Sequence, residues 1–360
     1  VRGLFFKQGE LMNILSPFSK KDEVLPLIDS GADELYCGIV PYGWEAKYSV
    51  FDTLNRREGY GANFSSFKEL ALAIRSAHKR KVPVFIAMNG LYAAGQYRLL
   101  KEIIRRISIS GADGLIIADI GLLLSLKEWG YRGQIHMGTG GTTFNSQTAL
   151  FYRKLGACRI ILDRQLTVNE VNDIAQQSQD KVALEVFILN TLCANVDGFC
   201  TFYHGLPLAN SQVSAQSRKD AKIRFFKLYD PDYQGHGCSL EFSKRVFNVN
   251  GKKIKGNFSG ITSLYKNDFK SCGVCALFDF SKMNIKALKI VERGAALESK
   301  VRDTCFVRKA VDILKKKKDI HRDDFISTMR ELYCQTYNFK ACSGFSCYYP
   351  SVFTKRRVSK

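Results

Sequence analysis

The sequence predicts an α/β fold, a (β/α)8 TIM-barrel-like domain. Three observations lead there. Short apolar, β-branched runs alternate with longer amphipathic stretches over roughly the first half of the chain. The turns between them carry Gly31-Ala32, Gly111-Ala112 and Gly156-Ala157. No glycine-rich phosphate fingerprint follows the first strand, which argues against an open dinucleotide-binding sheet.

The elements follow in order. Strands are expected at "MNILS" (12–16), "ELYCG" (34–38), "VPVFIAM" (82–88), "GLIIA" (114–118), "QIHMG" (134–138), "CRIIL" (158–162) and "ALEVFIL" (183–189). Between them, "SSFKELALAIRSAHKRK" (65–81) puts Phe67, Leu70, Ala71, Ile74 and Ala77 on one helical face. Ser65 and Ser66 offer N-cap oxygens there, and Glu69 stands where a capping box needs it. Further helical patterns cover 97–109, 120–129, 145–155 and 167–179. The eighth strand, "IKALKIV" (285–291), arrives late. The chain therefore divides into an extension (1–11), barrel strands one to seven (12–192), a cysteine-bearing insertion (193–284), the last strand and helix (285–318) and a small cysteine-containing C-terminal extension (319–360).

A barrel of this kind carries its chemistry at the C-terminal ends of its strands. Those ends hold Pro17, Cys37, Asn89, Asp119, His136, Asp163, Arg164, Asn190 and Glu292. Candidate substrate-binding or catalytic residues are Arg57, Asn89, Asp119, His136 and Arg164. An arginine grips a carboxylate through two parallel hydrogen bonds. Asp119 also suits the N-cap of the next helix, and Asn63 suits the cap of the helix that follows it. His136 reads either as a satisfied barrel histidine or as a general base. Glu185 is expected to pair with Arg164, because a buried unpaired carboxylate is costly. The stretch "HMGTGGTTFN" (136–145) is either a tight turn of small residues or a cradle of backbone amides for an anion.

Net charge is +20, from 54 Lys and Arg against 34 Asp and Glu. Such an excess favours a polyanionic partner, RNA or DNA, with solubility as the plainer explanation. No apolar run reaches the roughly 18 residues of a transmembrane helix, and the start lacks a signal-peptide pattern, so the expected compartment is cytoplasmic. HExxH, GxSxG and P-loop signatures are absent, and no peptidase nucleophile and base stand out.

Of 11 cysteines, only Cys37 and Cys158 fall in the first half. Without a secretion signal a disulfide framework is disfavoured, which leaves metal ligation or redox chemistry. Cys272 and Cys275 form a CxxC, and Cys342 and Cys347 a CxxxxC. Four thiolates complete either a zinc tetrahedron or an iron–sulfur cluster. Cys193, Cys200 and Cys238 are too widely spaced for a zinc knuckle and suit a cluster held by loops at a barrel mouth. Cys37, Cys158 and Cys334 read as small buried hydrophobes.

Six landmarks run in order along the chain: "SGADELYCG" (30–38), "REGYGANFSSFKELALAIRSAHKRKVPVFIAMN" (57–89), "GADGLIIADIGLL" (111–123), "LGACRIILDRQLTVNEV" (155–171), "LEVFILNTLCANVDGFC" (184–200) and "ALKIVERG" (287–294). In these the chain resembles the collagenase-like proteins of peptidase family U32. The resemblance implies a barrel-like fold and a 4Fe-4S cluster held by Cys193, Cys200, Cys238 and Cys275, with Cys272 as the alternative fourth ligand. It also implies oxygen-independent hydroxylation, either of RNA with prephenate as oxygen donor, or of the ubiquinone ring by a pair of related chains.

The chain departs from the family pattern in a longer interval between Cys200 and Cys238, and in "GTGGTTFN" where the family has Ser-Thr-Gln. It also carries Cys272, Cys305, Cys342 and Cys347 in addition, which leave a second cluster or a zinc site open. The expected function is an iron–sulfur-dependent, oxygen-independent hydroxylase acting on RNA. The alternatives are a small-molecule hydroxylation component with a partner chain, a peptidase, or a non-catalytic metal-stabilised binding subunit.

Overall fold

The computed structural model describes residues 12–48, 54–56, 61–178, 181–193, 195–200, 247–249, 252–254, 270–317, 319–342 and 347–353. Arg57 and Cys238 lie outside the described residues.

Eight parallel strands close into a barrel. They are β1 (Asn13–Pro17), β2 (Glu34–Gly38), β3 (Val84–Met88), β4 (Gly114–Ile117), β5 (Gln134–Met137), β6 (Arg159–Ile161), β7 (Ala183–Leu189) and β10 (Ile285–Ile290). Their order around the barrel is β1-β10-β7-β6-β5-β4-β3-β2, so β10 inserts between β7 and β1. A parallel sheet wrapped by helices is buried on both faces. That is why these strands are continuous apolar runs, with β3 and β7 buried along their whole length. A two-stranded antiparallel pair, β8 (Phe247–Val249) and β9 (Lys252–Ile254), falls in the insertion.

Helices Phe67–Lys79, Tyr97–Ile109, Ile120–Glu128, Ser146–Leu155, Val168–Ser178 and Leu297–Lys316 flank the strands. The starts of Phe67–Lys79, Ile120–Glu128 and Ser146–Leu155 are fixed by side-chain caps that satisfy otherwise orphaned amides. Ser66 accepts from Glu69 N, Asp119 from Leu122 N and Asn145 from Thr148 N. Asn63, the expected cap, instead accepts from Asn55 and Arg293.

The barrel interior holds a closed ionic network. Arg159, opening β6, reaches Glu34 at 2.5 and 2.8 Å and Glu185 at 3.2 Å. Lys289 of β10 reaches the other Glu185 oxygen at 2.9 Å. Glu185 is thus paired with Arg159 and Lys289 rather than with Arg164 as the sequence suggested. Burial alone would raise the Glu34 pKa, but the bonds from Arg159 and Asn13 outweigh it and hold it below the ordinary value.

The C-terminal extension is built into the same core. Phe325 and Met329 of helix Arg322–Tyr337, together with Tyr348, Tyr349 and Val352, belong to the cluster that includes the barrel strands. No described helix is long and apolar enough to cross a membrane.

Candidate functional site

The C-terminal ends of β5, β7 and β10 leave regular geometry in the left-handed region. Thr142 (φ 54°), Asn190 (φ 69°), Thr191 (φ 27°) and Glu292 (φ 76°) are all non-glycine residues. Such backbone costs on the order of 1–3 kcal/mol per residue and persists only where neighbours fix it. Here they do. Tyr348 donates its hydroxyl to the Asn190 carbonyl and, at 3.0 Å, to the Thr191 carbonyl. Glu292 accepts from Thr191 Oγ1 at 2.7 Å, and Asn190 donates to Asp303 at 2.8 Å.

The chain then turns through Cys193 and Cys200, and this loop is fastened over the mouth. Asp197, between the two cysteines, is its anchor. It accepts from Arg164 Nη2 at 2.8 Å and from the Thr139 hydroxyl, while its carbonyl accepts from Arg56. Arg164 also donates to the Thr191 carbonyl at 3.0 Å and lies over the Phe187 ring, 4.5 Å from its centroid. Gln165 Nε2 holds the carbonyls of Cys193 and Asn195 at 3.0 and 2.8 Å. Gly198 approaches the "GTGG" turn so closely that a Cβ would lie 1.8 Å from Thr142 Oγ1 and 2.9 Å from the Gly140 carbonyl. The glycine-rich turn is therefore a seat for the cysteine loop.

Asp163 lies beneath this contact, buried, and accepts from Thr143 N at 2.9 Å. Burial first, and the nearby Asp197 carboxylate second, push its pKa up to about 7. A carboxyl titrating near neutrality suits proton exchange with a bound substrate. On the opposite rim Arg293 donates to Asn55 at 2.7 Å and to Asn63 at 3.2 Å. Gly38 makes room for this group, since a Cβ there would fall 2.0 Å from Arg293 Nη1.

Of the sequence candidates, Arg164 and Asn89 reach this mouth, Asn89 through its acceptance from Arg56 N at 3.2 Å. Asp119 is taken up structurally, accepting from Leu122 N, Tyr97 OH and Tyr92 N. His136 is fully buried inside the barrel, its ring 4.3 Å from that of Phe85 and its Nε2 3.3 Å from Gln134 Oε1. Burial, then Arg159 and Lys289, push its pKa well below the ordinary value, so the imidazole is neutral. The mouth residues that sequence reasoning passed over are Asp197, Arg293 and Asn55. Arg293 sits in the "VERG" landmark and Asp197 in "LEVFILNTLCANVDGFC", which were the available signals; Asn55 carried none.

Cys193 and Cys200 are half-buried free thiols on the fastened loop, a placement that fits a pair of cluster ligands. Cys275 is buried in the turn Val274–Ala276, three residues beyond Cys272, whose backbone bridges Cys347. Cys305, expected with the additional cysteines, stands mid-helix in Leu297–Lys316 outside this group. Among the described residues, no three His, Cys, Asp or Glu side chains already stand in a metal-holding arrangement.

The sequence profile described as Peptidase family U32 matches residues 19–355. An uncharacterized protease of Methanocaldococcus jannaschii is 31% identical over 195 residues, covering 53% of this chain and 43% of that protein. The tRNA hydroxylation protein P of Escherichia coli is 27% identical over 188 residues, covering 52% and 38% respectively. The chain thus spans less than half the length of these two relatives. The tRNA hydroxylation protein P2 of Bacillus subtilis is 22% identical over 350 residues, covering 94% of this chain and 97% of that one.

Proposed function

The chain belongs to peptidase family U32, and on that premise we propose that it is an RNA-modifying enzyme that hydroxylates a nucleobase without molecular oxygen. The observation that carries this reading is the cysteine loop fastened over the barrel mouth by the Arg164–Asp197 pair, beside Asp163. Relatives named for tRNA hydroxylation support it, one of them aligned over nearly its full length. The net charge of +20 suits a phosphate backbone as partner. A hydrolytic reading fits less well, because the barrel histidine is fully buried and enclosed by Phe85 and Gln134, out of reach of a substrate at the mouth.

Replacing C–H by C–OH is a two-electron oxidation of the base, which balances when the oxygen donor is also the oxidant: it gives up one oxygen atom and is itself reduced by two electrons. An iron–sulfur cluster on Cys193 and Cys200, with Cys238 as a further ligand, would supply electron transfer when bound. The protein's own groups do the rest. Arg164 and Gln165 hold the cysteine loop in register, and Asp163 exchanges a proton near neutral pH. Prephenate is the proposed oxygen donor, and its carboxylates suit the guanidinium groups that line the mouth.

The test is nucleoside mass analysis of total RNA from cells with and without the gene. The expected result is one nucleoside, heavier by one oxygen atom, that vanishes on deletion and returns on complementation. An unchanged nucleoside inventory overturns the reading.

A further inference from the structure

The positive charge of the barrel is gathered on one wall. Helices Phe67–Lys79 and Tyr97–Ile109, which follow β2 and β3, carry seven Lys and Arg against only Glu69 and Glu102. Helix Val168–Ser178 lies between β6 and β7 on the far side of the barrel. It carries Glu170 and Asp173 and no Lys or Arg. Charge that served solubility alone would be spread over the surface. Charge gathered on one wall makes a field with a direction, and that field steers a polyanion.

Helical spacing sorts these cations into two stripes. Lys68, Arg75 and Lys79 stand at i, i+7 and i+11, and Arg98, Lys101 and Arg105 at i, i+3 and i+7, so each set shares a face. All six are exposed, because Leu70 and Ile74 on one helix and Leu100 and Ile103 on the other take the barrel side. Arg105 is bonded to Glu102 at 2.9 Å, whereas the other five have no ion pair among the described residues. The two helices form one surface. Arg106 lies 4.0 Å from the centroid of the Phe67 ring, and His78 Nε2 lies 2.8 Å from Asp113, just ahead of β4. Both helices start on the mouth side, shortly after Asn63, which accepts from Arg293, and Asn89, which accepts from Arg56 N. From there the Lys68–Lys79 stripe runs roughly 16 Å down the wall, at the helical rise per residue.

We propose that this wall is the docking surface for the body of the substrate RNA that flanks the target nucleotide. Lys68, Arg75 and Lys79 meet its phosphates along one stripe, and Arg98 and Lys101 along the other. This assignment rests on the RNA reading of the barrel mouth, and it says where the rest of the nucleic acid is held. Exposed ammonium and guanidinium groups grip phosphates without reading bases, so the wall supplies affinity and the direction of approach. Selection of the nucleotide stays with the mouth. Each phosphate that is neutralised releases condensed counterions, which makes the grip weaken as salt rises.

Binding of bulk tRNA to the full-length protein is measured by fluorescence anisotropy between about 50 and 200 mM potassium chloride. Lys68→Gln/Arg75→Gln/Lys79→Gln removes three wall charges at exposed helical positions, where glutamine keeps the helix. Lys315→Gln/Lys316→Gln/Lys317→Gln removes three exposed charges at the end of helix Leu297–Lys316 and is the control of equal charge. A lost phosphate contact takes about 0.7–0.9 from the slope of log affinity against log salt. The wall variant is therefore expected to lose about 2 units of slope and about tenfold or more in low-salt affinity, and the control neither. A wall variant with the wild-type slope overturns the proposal, as does equal weakening of both variants, which would reduce the wall to bulk charge. Lost binding to phosphatidylserine-containing vesicles with tRNA binding unchanged would assign the wall to a membrane surface and overturn it too. Wild-type protein without salt-dependent tRNA binding overturns the RNA reading as well, whereas an unaffected wall variant leaves that reading standing. If circular dichroism shows the wall variant unfolded, Arg98→Gln/Lys101→Gln on the second stripe decides, with an expected slope loss of about 1.5 units.

Discussion

The two ends of the barrel use charge differently. Inside, Arg159, Lys289, Glu34 and Glu185 neutralise one another through contacts between neighbouring and facing strands. At the mouth, Arg164 and Asp197 join a strand end to a loop, and the backbone around them is held in left-handed conformations. A network between strands can only hold the barrel closed. A pair that clamps a loop sets the position of whatever that loop carries, here Cys193 and Cys200. The contrast separates residues of stability from residues of chemistry more sharply than burial does, since Arg159 and Asp163 are both buried.

The largest effect should come from the interior. Arg159→Met takes the buried guanidinium from both carboxylates, leaving Glu34 its neutral Asn13 bond and Glu185 its Lys289 partner, in a dry environment. It is expected to cost about 3–5 kcal/mol in urea unfolding, the usual penalty for halving a buried pair. A loss under about 1 kcal/mol would erase the distinction between the two ends.

At the mouth the effect should fall on function instead. Gly198→Ala places a methyl group against Thr142 Oγ1 and the Gly140 carbonyl, so the loop must lift from its seat. Hydroxylated nucleoside is expected to fall by about tenfold or more, as small misplacements of reacting groups do. Thermal unfolding should change little, because the methyl disturbs the loop and leaves the barrel core intact. Full activity in Gly198→Ala would show that the seat is incidental.

The smallest effect is a pH dependence. The folded-state pKa of Asp163 is about 7, above the ordinary carboxyl value of 3.8, so the folded protein binds more protons between those values. Its contribution to stability is therefore fully present at the acid end and fades as pH rises towards 7. Asp163→Asn should flatten that part of the curve of urea midpoint against pH. An unaltered slope would place the titration elsewhere.

Much of this was legible in the sequence, for physical reasons. Parallel barrel strands must be apolar on both faces, so each showed as a continuous run, and β2 and β7 match the expected spans residue for residue. The cysteine loop was legible because thiols have few other reasons to follow a core strand at that spacing. The partner of Glu185 was not. Arg159 opens β6 and Arg164 follows its end, and linear order does not say which one faces β7 at the level of Glu185. Asp197 was hidden because a residue between two cysteines looks like spacer until the loop folds back onto Arg164. The pairing of Cys272 with Cys347 is a backbone bridge between distant segments, and no local pattern encodes that.

The most direct test of the mouth as the working site is a complementation in cells lacking the gene, comparing wild type with Arg164→Lys at equal protein level. Lysine keeps the charge but loses the planar fork that bonds Asp197 and the Thr191 carbonyl together. The wild type should restore the hydroxylated nucleoside, and Arg164→Lys should leave it at a tenth or less, as expected for a displaced reacting group. Equal restoration by both would contradict the assignment of the chemistry to the barrel mouth.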